Sequence, residues 1–99
     1  MDTTLVHIDR ELEVLVPRFL GNCRKNVGEM TQGIAQSDLD VVRRIGHSLK
    51  GVGGGYGFAR ITELGAIIEA AAKAGDSARA SAGIAALAAY LDTVQVEYI

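Results

Sequence analysis

The sequence predicts an all-α protein, an antiparallel up-down four-helix bundle with a short extra helix at its N-terminus. Apolar residues recur at helical spacing along most of the chain. The period-two alternation that is typical of strands is almost absent. The connections between the predicted helices are only a few residues long, so successive helices are expected to be antiparallel neighbours. The 99 residues suffice for one core, and we predict a single domain over residues 1–99.

The first predicted helix is short and runs from Arg10 to about Val16, with Asp9 as its N-cap. Pro17 either interrupts it or begins the second helix, where the missing N–H does no harm. The second helix carries a narrow apolar seam with 3-4-3-4 spacing: Leu20, Cys23, Val27, Met30 and Ile34. It is expected to end near Ser37.

The central helix begins with a capping-box-like pair, Ser37 and Asp40, and runs to about Tyr56, with Gly57 as its C-terminal cap. At about 100° per residue it separates into two faces. The inward stripe comprises Val42, Ile45, Leu49, Val52 and Tyr56. The solvent face comprises Asp40, Arg43, Arg44, His47, Lys50, Gly51 and Gly54. His47 therefore stands near the centre of the solvent face.

Two further apolar stripes predict the last two helices. The first comprises Ile61, Leu64, Gly65, Ile68 and Ala72, and Gly75 closes it. The second comprises Ile84, Leu87, Ala88, Leu91 and Val94. Asp76 or Ser77 is expected to cap this last helix.

Glycines are unexpectedly frequent after His47. Gly51, Gly53, Gly54 and Gly55 lie in or at the end of a helical pattern, and each destabilises a helix interior by about 1 kcal/mol relative to alanine. Four together amount to about 4 kcal/mol, a large part of the roughly 5–15 kcal/mol that stabilises a small domain. The plainest explanation is close approach by another backbone or another protein.

Composition and spacing argue against several functions. The net charge of −2 is unlike the basic surface of a nucleic-acid-binding protein. No apolar run approaches the roughly 20 residues of a membrane span, and no signal-peptide pattern begins the chain. A single cysteine, Cys23, suits a reducing compartment. We therefore expect a cytoplasmic monomer that binds neither nucleic acid nor membranes.

Three kinds of site are disfavoured by spacing. The glycines form no G-x-G-x-x-G or G-K-[ST] motif, and no strand precedes them. His7, Cys23 and His47 lack the spacing of a helical metal site, so no metal ligand is predicted. Ser48 points about 100° away from His47 on a helix, which disfavours a Ser-His hydrolase. A solvated surface histidine remains the simplest alternative, but it explains neither the surrounding cations nor the glycines.

The segment His47-Ser48-Leu49-Lys50-Gly51, with Gly57 ten residues after the histidine, resembles the H-x-x-K-G-x(5)-G signature of histidine-containing phosphotransfer (Hpt) domains. The likeness extends over nearly the whole chain, including the segments 17–20, 53–58 and 69–71. Two departures are visible: Val52 stands where Ser or Ala is usual, and Glu69 stands where some members have Gln. The wheel places Val52 toward the core, so transfer should survive that change.

The resemblance implies that His47 carries a phosphoryl group and exchanges it with the aspartate of a response-regulator receiver domain. A sensor or hybrid histidine kinase is the other expected partner. Glu69 could accept the Nδ1–H of the ring, and Lys50 could contact phosphoryl oxygens. No cofactor is expected on this chain, because the receiver would supply Mg²⁺, and no ATP site is visible. We expect Lys50→Ala to slow transfer more than Glu69→Ala.

Arg43, Arg44, Gly51 and Gly54 are the predicted partner-docking residues around His47. An alternative function uses the same face without chemistry: a non-catalytic helical adaptor that docks partners through His47, Gly51 and Gly54. A self-associating bundle without phosphate chemistry is a third possibility.

Overall fold

The computed structural model describes residues 5–99, most of which are helical. Four α-helices make up this described part: α1 (Val16–Ala35), α2 (Leu39–Val52), α3 (Ala59–Lys73) and α4 (Ser77–Thr93). The helical fold class predicted from apolar spacing is therefore confirmed. Among the same residues, no helix combines the length and the apolar character needed to cross a lipid bilayer.

Two short strands that the sequence analysis did not predict join the two ends of the described chain. β1 (Leu5–Ile8) and β2 (Gln95–Tyr98) form a parallel pair in which Ile8 lies opposite Tyr98. This strand pair is an addition to the helical fold and does not change its class. Strands of four residues are too short to show a recognisable alternation, and their partners lie at opposite ends of the sequence.

The chain between β1 and α1 also differs from the predicted first helix. Asp9 is the cap, and its side chain accepts a hydrogen bond from the N–H of Glu11 at 2.9 Å. The capped segment is a 3-10 helix of three residues, Arg10–Leu12, and not a helix reaching Val16. Since α1 begins at Val16, Pro17 falls within its first turn, where a missing N–H costs no intrahelical bond.

The N-terminal end of α2 is capped by Asp38, and the predicted cap Ser37 was wrong. The Asp38 carboxylate accepts the N–H of Val41 at 3.3 Å. Ser37 instead adopts a φ of 57°, the left-handed conformation that reverses the chain after α1. The observed cap lies one residue after the predicted one, because Ser37 is part of the turn between the two helices.

The C-terminal end of α2 comes earlier than predicted, at Val52. A 3-10 helix, Gly54–Tyr56, follows, and Gly57 caps it with a φ of 91°. The glycine run has too little helix propensity to continue the α-helix to Tyr56. A side chain at Gly57 would also collide with Ile8 of β1. The turn after α2 therefore packs directly against β1.

The helices share one core. α2 packs against α3, α1 packs against α2 and α4, and α4 also packs against α3. The largest fully buried side chains are Ile8, Val16, Cys23, Met30, Val42, Leu49, Phe58, Ile61, Leu64, Ile68 and Leu87. Most of the predicted inward positions agree with this core.

Val52 is the clear exception among the predicted inward residues, because 41% of it is exposed. It lies in the last turn of α2, at the rim of a groove between α1 and α2 that Asn22 and Asn26 also line. Ile45 is half-buried, as are Ala88 and Val94 near the end of the chain.

The turn between α3 and α4 follows the prediction. Gly75 adopts a φ of 73° after α3, and Asp76 caps α4 by accepting the N–H of Arg79 at 2.9 Å. Of the two residues predicted as the N-cap of α4, Asp76 is therefore the observed one.

Candidate functional site

His47 presents its imidazole to solvent from the middle of α2, with 66% of its side chain exposed. The opposite face of α2 carries Val42, Gly46 and Leu49, all of which are buried. Burial of that face fixes the orientation of the helix and holds the histidine outward. This placement agrees with the helical wheel drawn from the sequence.

Glu69 on α3 binds both His47 and Lys50. Its Oε2 lies 2.6 Å from His47 Nδ1, and its Oε1 accepts a hydrogen bond from Lys50 Nζ at 2.6 Å. The Glu69 side chain is only 7% exposed. An ionised carboxylate can only accept hydrogen bonds, so Nδ1 carries the hydrogen and the lone pair of the neutral ring is on Nε2.

The charge of Glu69 is stabilised by these same contacts. The hydrogen bond from Lys50 is the main cause that lowers the pKa of Glu69, and the hydrogen bond with His47 lowers it further, although burial opposes both. Glu69 is therefore a paired, anionic carboxylate at neutral pH. A buried carboxylate without such partners would be costly.

Two helix-interior glycines bring Glu69 within reach of α2. A Cβ atom on Gly46 would lie 2.9 Å from the backbone N of Glu69, and one on Gly65 would lie 2.5 Å from the backbone N of Lys50. Only glycine allows the two backbones to approach so closely. Gly46 was not among the predicted site residues, and Gly65 was predicted only as part of an apolar stripe. A glycine in the interior of each helix was the signal in the sequence that could have indicated this close approach.

Arg43 and Arg44, predicted to surround His47, both bind Asp40 in this structure. Arg43 Nη2 donates to Asp40 Oδ1 at 2.9 Å, and Arg44 Nε lies 3.2 Å from Oδ2. The Arg43 hydrogen bond is the main cause that lowers the pKa of Asp40. These cations form an exposed cluster one turn before His47, separate from the contacts of Glu69.

The glycines after His47 divide into two kinds. Gly53 is buried against α3, where an added Cβ would lie 2.8 Å from the backbone N of Thr62. Gly51 and Gly55 face open space, and Gly54 has only the Thr62 hydroxyl within van der Waals distance, at 3.6 Å. Close approach therefore explains Gly53 within the protein itself. Gly51 and Gly54 therefore add no side-chain bulk to the surface around the end of α2.

The sequence matches a known protein family over most of its length. The family model of the Hpt domain matches residues 14–97, which is most of the chain. The chain belongs to the Hpt domain family. Comparisons with curated proteins and with solved structures gave no significant match. Hpt domains take part in phosphorelays, where they interact with kinases and receiver domains.

The remaining candidates for chemistry in this Hpt domain lie apart from His47. His7 is on β1, with Nε2 4.0 Å from Glu97 Oε2 of the neighbouring strand. Cys23 is buried, and desolvation raises the pKa of its thiol to about 11. Within residues 5–99, no group of three or more His, Cys, Asp or Glu side chains is arranged to hold a metal ion.

Proposed function

We propose that His47 accepts a phosphoryl group on Nε2 from the aspartate of a response-regulator receiver domain and passes it to another such aspartate. The observation that carries this proposal is the 2.6 Å contact between Glu69 and Nδ1. It occupies the inner ring nitrogen and leaves Nε2 as the nucleophile. The exposure of the ring gives a partner domain access to that atom.

The transfer requires no proton movement on this chain. The Nε2 lone pair attacks the phosphorus of the aspartyl phosphate, the bond from phosphorus to the aspartate oxygen breaks, and the carboxylate leaves. Nδ1 keeps its hydrogen, so the phosphorylated ring is a cation. The Glu69 carboxylate neutralises that cation through the same hydrogen bond. In the return step a receiver carboxylate attacks phosphorus, and the neutral imidazole leaves.

Lys50 supplies positive charge beside the reacting nitrogen. It lies one helical turn after His47, and its side chain is 41% exposed while Nζ is held by Glu69. From there it can attract phosphoryl oxygens as a point charge. Phosphoryl transfer depends mainly on positioning and charge, so a helical surface with few catalytic groups can serve.

The receiver domain completes the site. It supplies the aspartate and a Mg²⁺ ion, and we propose no cofactor for the Hpt chain. Arg43, Arg44, Gly51 and Gly54 form the surface on which the receiver docks. A sensor or hybrid histidine kinase is the source of the phosphoryl group at the start of the relay.

The proposal includes an antiparallel up-down order of the four helices in a single monomeric domain that acts in the cytoplasm. Contacts between α2 and α3 support the antiparallel order. Gly46, in the middle of α2, lies against Glu69 in the second half of α3, whereas Gly53, just after the end of α2, lies against Thr62 near the start of α3. Later residues of the α2 segment thus contact earlier residues of α3, as expected for antiparallel helices.

Radiolabel transfer tests the proposal. The protein is incubated with a receiver domain carrying a labelled aspartyl phosphate, and the label is followed onto the Hpt chain. His47→Gln should fold as judged by circular dichroism and accept no label. His7→Gln is the matched control and should accept label as the wild type does. Label that persists in His47→Gln would contradict the proposal.

A further inference from the structure

The hydroxyl of Thr62 joins α3 to the end of α2. It accepts a hydrogen bond from the backbone N–H of Gly54 at 2.8 Å and donates one to the backbone carbonyl of Lys50 at 3.1 Å. Both contacts cross from α3 to the segment that carries His47. Because α2 ends at Val52, this hydroxyl takes part in satisfying the free backbone groups of its last turn.

Thr62 and Glu69 act on the same helix pair at neighbouring levels. They are seven residues apart on α3, and therefore project from the same face of that helix. Lys50 contacts both of them, through its backbone carbonyl to Thr62 and through its Nζ to Glu69. Between these two levels, Gly65 packs directly on the backbone of Lys50.

We propose that Thr62 is a positioning residue for phosphotransfer. It sets the register of α2 against α3, so that one Glu69 carboxylate reaches His47 Nδ1 and Lys50 Nζ at once. This inference rests on the proposed function for its effect on transfer, but not for its effect on the geometry of the ring. The hydroxyl of Thr62 hydrogen-bonds to backbone groups of Lys50 and Gly54 and not to the imidazole or the ammonium group, so it acts through the backbone at the end of α2.

Loss of the hydroxyl frees the end of α2. The Lys50 carbonyl and the Gly54 N–H then lose their hydrogen-bond partner on α3 and are hydrated instead. Small shifts matter here, because a misplacement of about 1 Å can cost about a hundredfold in rate. A partial shift of the last turn is expected to slow transfer by about tenfold, a lesser loss than that full misplacement.

The test compares Thr62→Ala with Thr62→Ser, which restores the hydroxyl. Thr62→Val is the second hydroxyl-free variant, so that the comparison does not depend on one substitution folding well. Thr31→Ala is the matched control, because the Thr31 hydroxyl donates only to Val27 of its own helix, at 2.8 Å. Two quantities are measured on each folded protein: the ¹⁵N chemical shifts of the His47 ring, and the rate of transfer from a phosphorylated receiver.

Thr62→Ala and Thr62→Val should lower the fraction of His47 in the Nδ1–H tautomer and slow transfer about tenfold. Thr62→Ser and Thr31→Ala should retain wild-type values of both quantities. Wild-type ring shifts in both hydroxyl-free variants, or a Thr62→Ser variant as impaired as Thr62→Ala, would overturn the inference. If the wild-type protein transfers nothing but the ring shifts change as expected, the proposed function fails and the positioning role of Thr62 stands.

Discussion

Glu69 Oε2 lies 2.6 Å from His47 Nδ1, and this contact joins an almost fully buried carboxylate to a ring that is 66% exposed. The buried partner fixes the tautomer, and the exposed ring offers Nε2 to another protein. The same carboxylate also holds Lys50, so one side chain of α3 orders both polar groups that α2 contributes.

Glu69→Ala should slow phosphotransfer more than Lys50→Ala does. From the sequence alone we expected the opposite order, but in the structure the Glu69 carboxylate binds both His47 and Lys50, whereas the Lys50 ammonium group hydrogen-bonds to Glu69 and not to the ring. We expect a loss of about a hundredfold for Glu69→Ala and about tenfold for Lys50→Ala. Single-turnover transfer from one labelled receiver measures both. A larger loss in Lys50→Ala would restore the earlier ranking.

The stabilising effect of Glu69 should depend on pH. Because the pKa of Glu69 is lowered in the folded protein from its ordinary value of 4.5, the unfolded chain binds its proton at higher pH. Its ionised form therefore stabilises the fold above about pH 4.5, and this contribution is lost as the pH falls through the lower, folded value. Urea unfolding of wild type and Glu69→Gln between pH 7 and pH 3 measures this contribution to the free energy of unfolding.

The difference in unfolding free energy between wild type and Glu69→Gln should be largest at neutral pH and shrink toward pH 3. Glu63→Gln removes one exposed carboxylate from the same helix and serves as the matched variant. A difference for Glu69→Gln that stays constant over the whole range would show that its ionisation does not stabilise the fold.

How much the sequence could predict depends on the range of the interactions involved. The four helices and the cap at Gly57 follow from local spacing and propensity, and so were predictable. The parallel strands were not, because their pairing depends on the whole fold bringing two distant segments together. The exposure of Val52 depends on the position of α1 relative to α2. The roles of Gly46 and Thr62 depend on the distance between α2 and α3. Distances between helices are not encoded in the periodicity of either one.

Gly65→Ala and Gly51→Ala should have opposite effects on stability. A Cβ at Gly65 would lie 2.5 Å from the backbone N of Lys50, so α2 and α3 must separate. A destabilisation of at least about 2 kcal/mol is expected, as for other overpacked helix contacts. Gly51 faces open space, and alanine there should stabilise the helix by up to about 1 kcal/mol. Urea unfolding measures both, and equal effects at the two positions would contradict the packing described.

Gly51→Leu should impair docking without unfolding the protein. Gly51 lies one helical turn after His47 and faces open space, so a leucine there fits the fold but occupies the surface that a receiver must approach. Receiver affinity should fall at least about tenfold. Gly28→Leu is the matched control, because Gly28 also faces open space, on α1. Isothermal titration with a receiver domain compares the variants. Wild-type affinity in Gly51→Leu would mean that the docking surface lies elsewhere.

The atom that carries the phosphoryl group tests the central claim most directly. The protein is labelled with ¹⁵N in its histidine rings, phosphorylated by a receiver domain, and examined by NMR for the coupling between phosphorus and ring nitrogen. One phosphoryl group is expected, on Nε2 of His47, with Nδ1 still protonated and hydrogen-bonded to Glu69. A phosphoryl group on Nδ1, or on His7 with His47 unmodified, would contradict it.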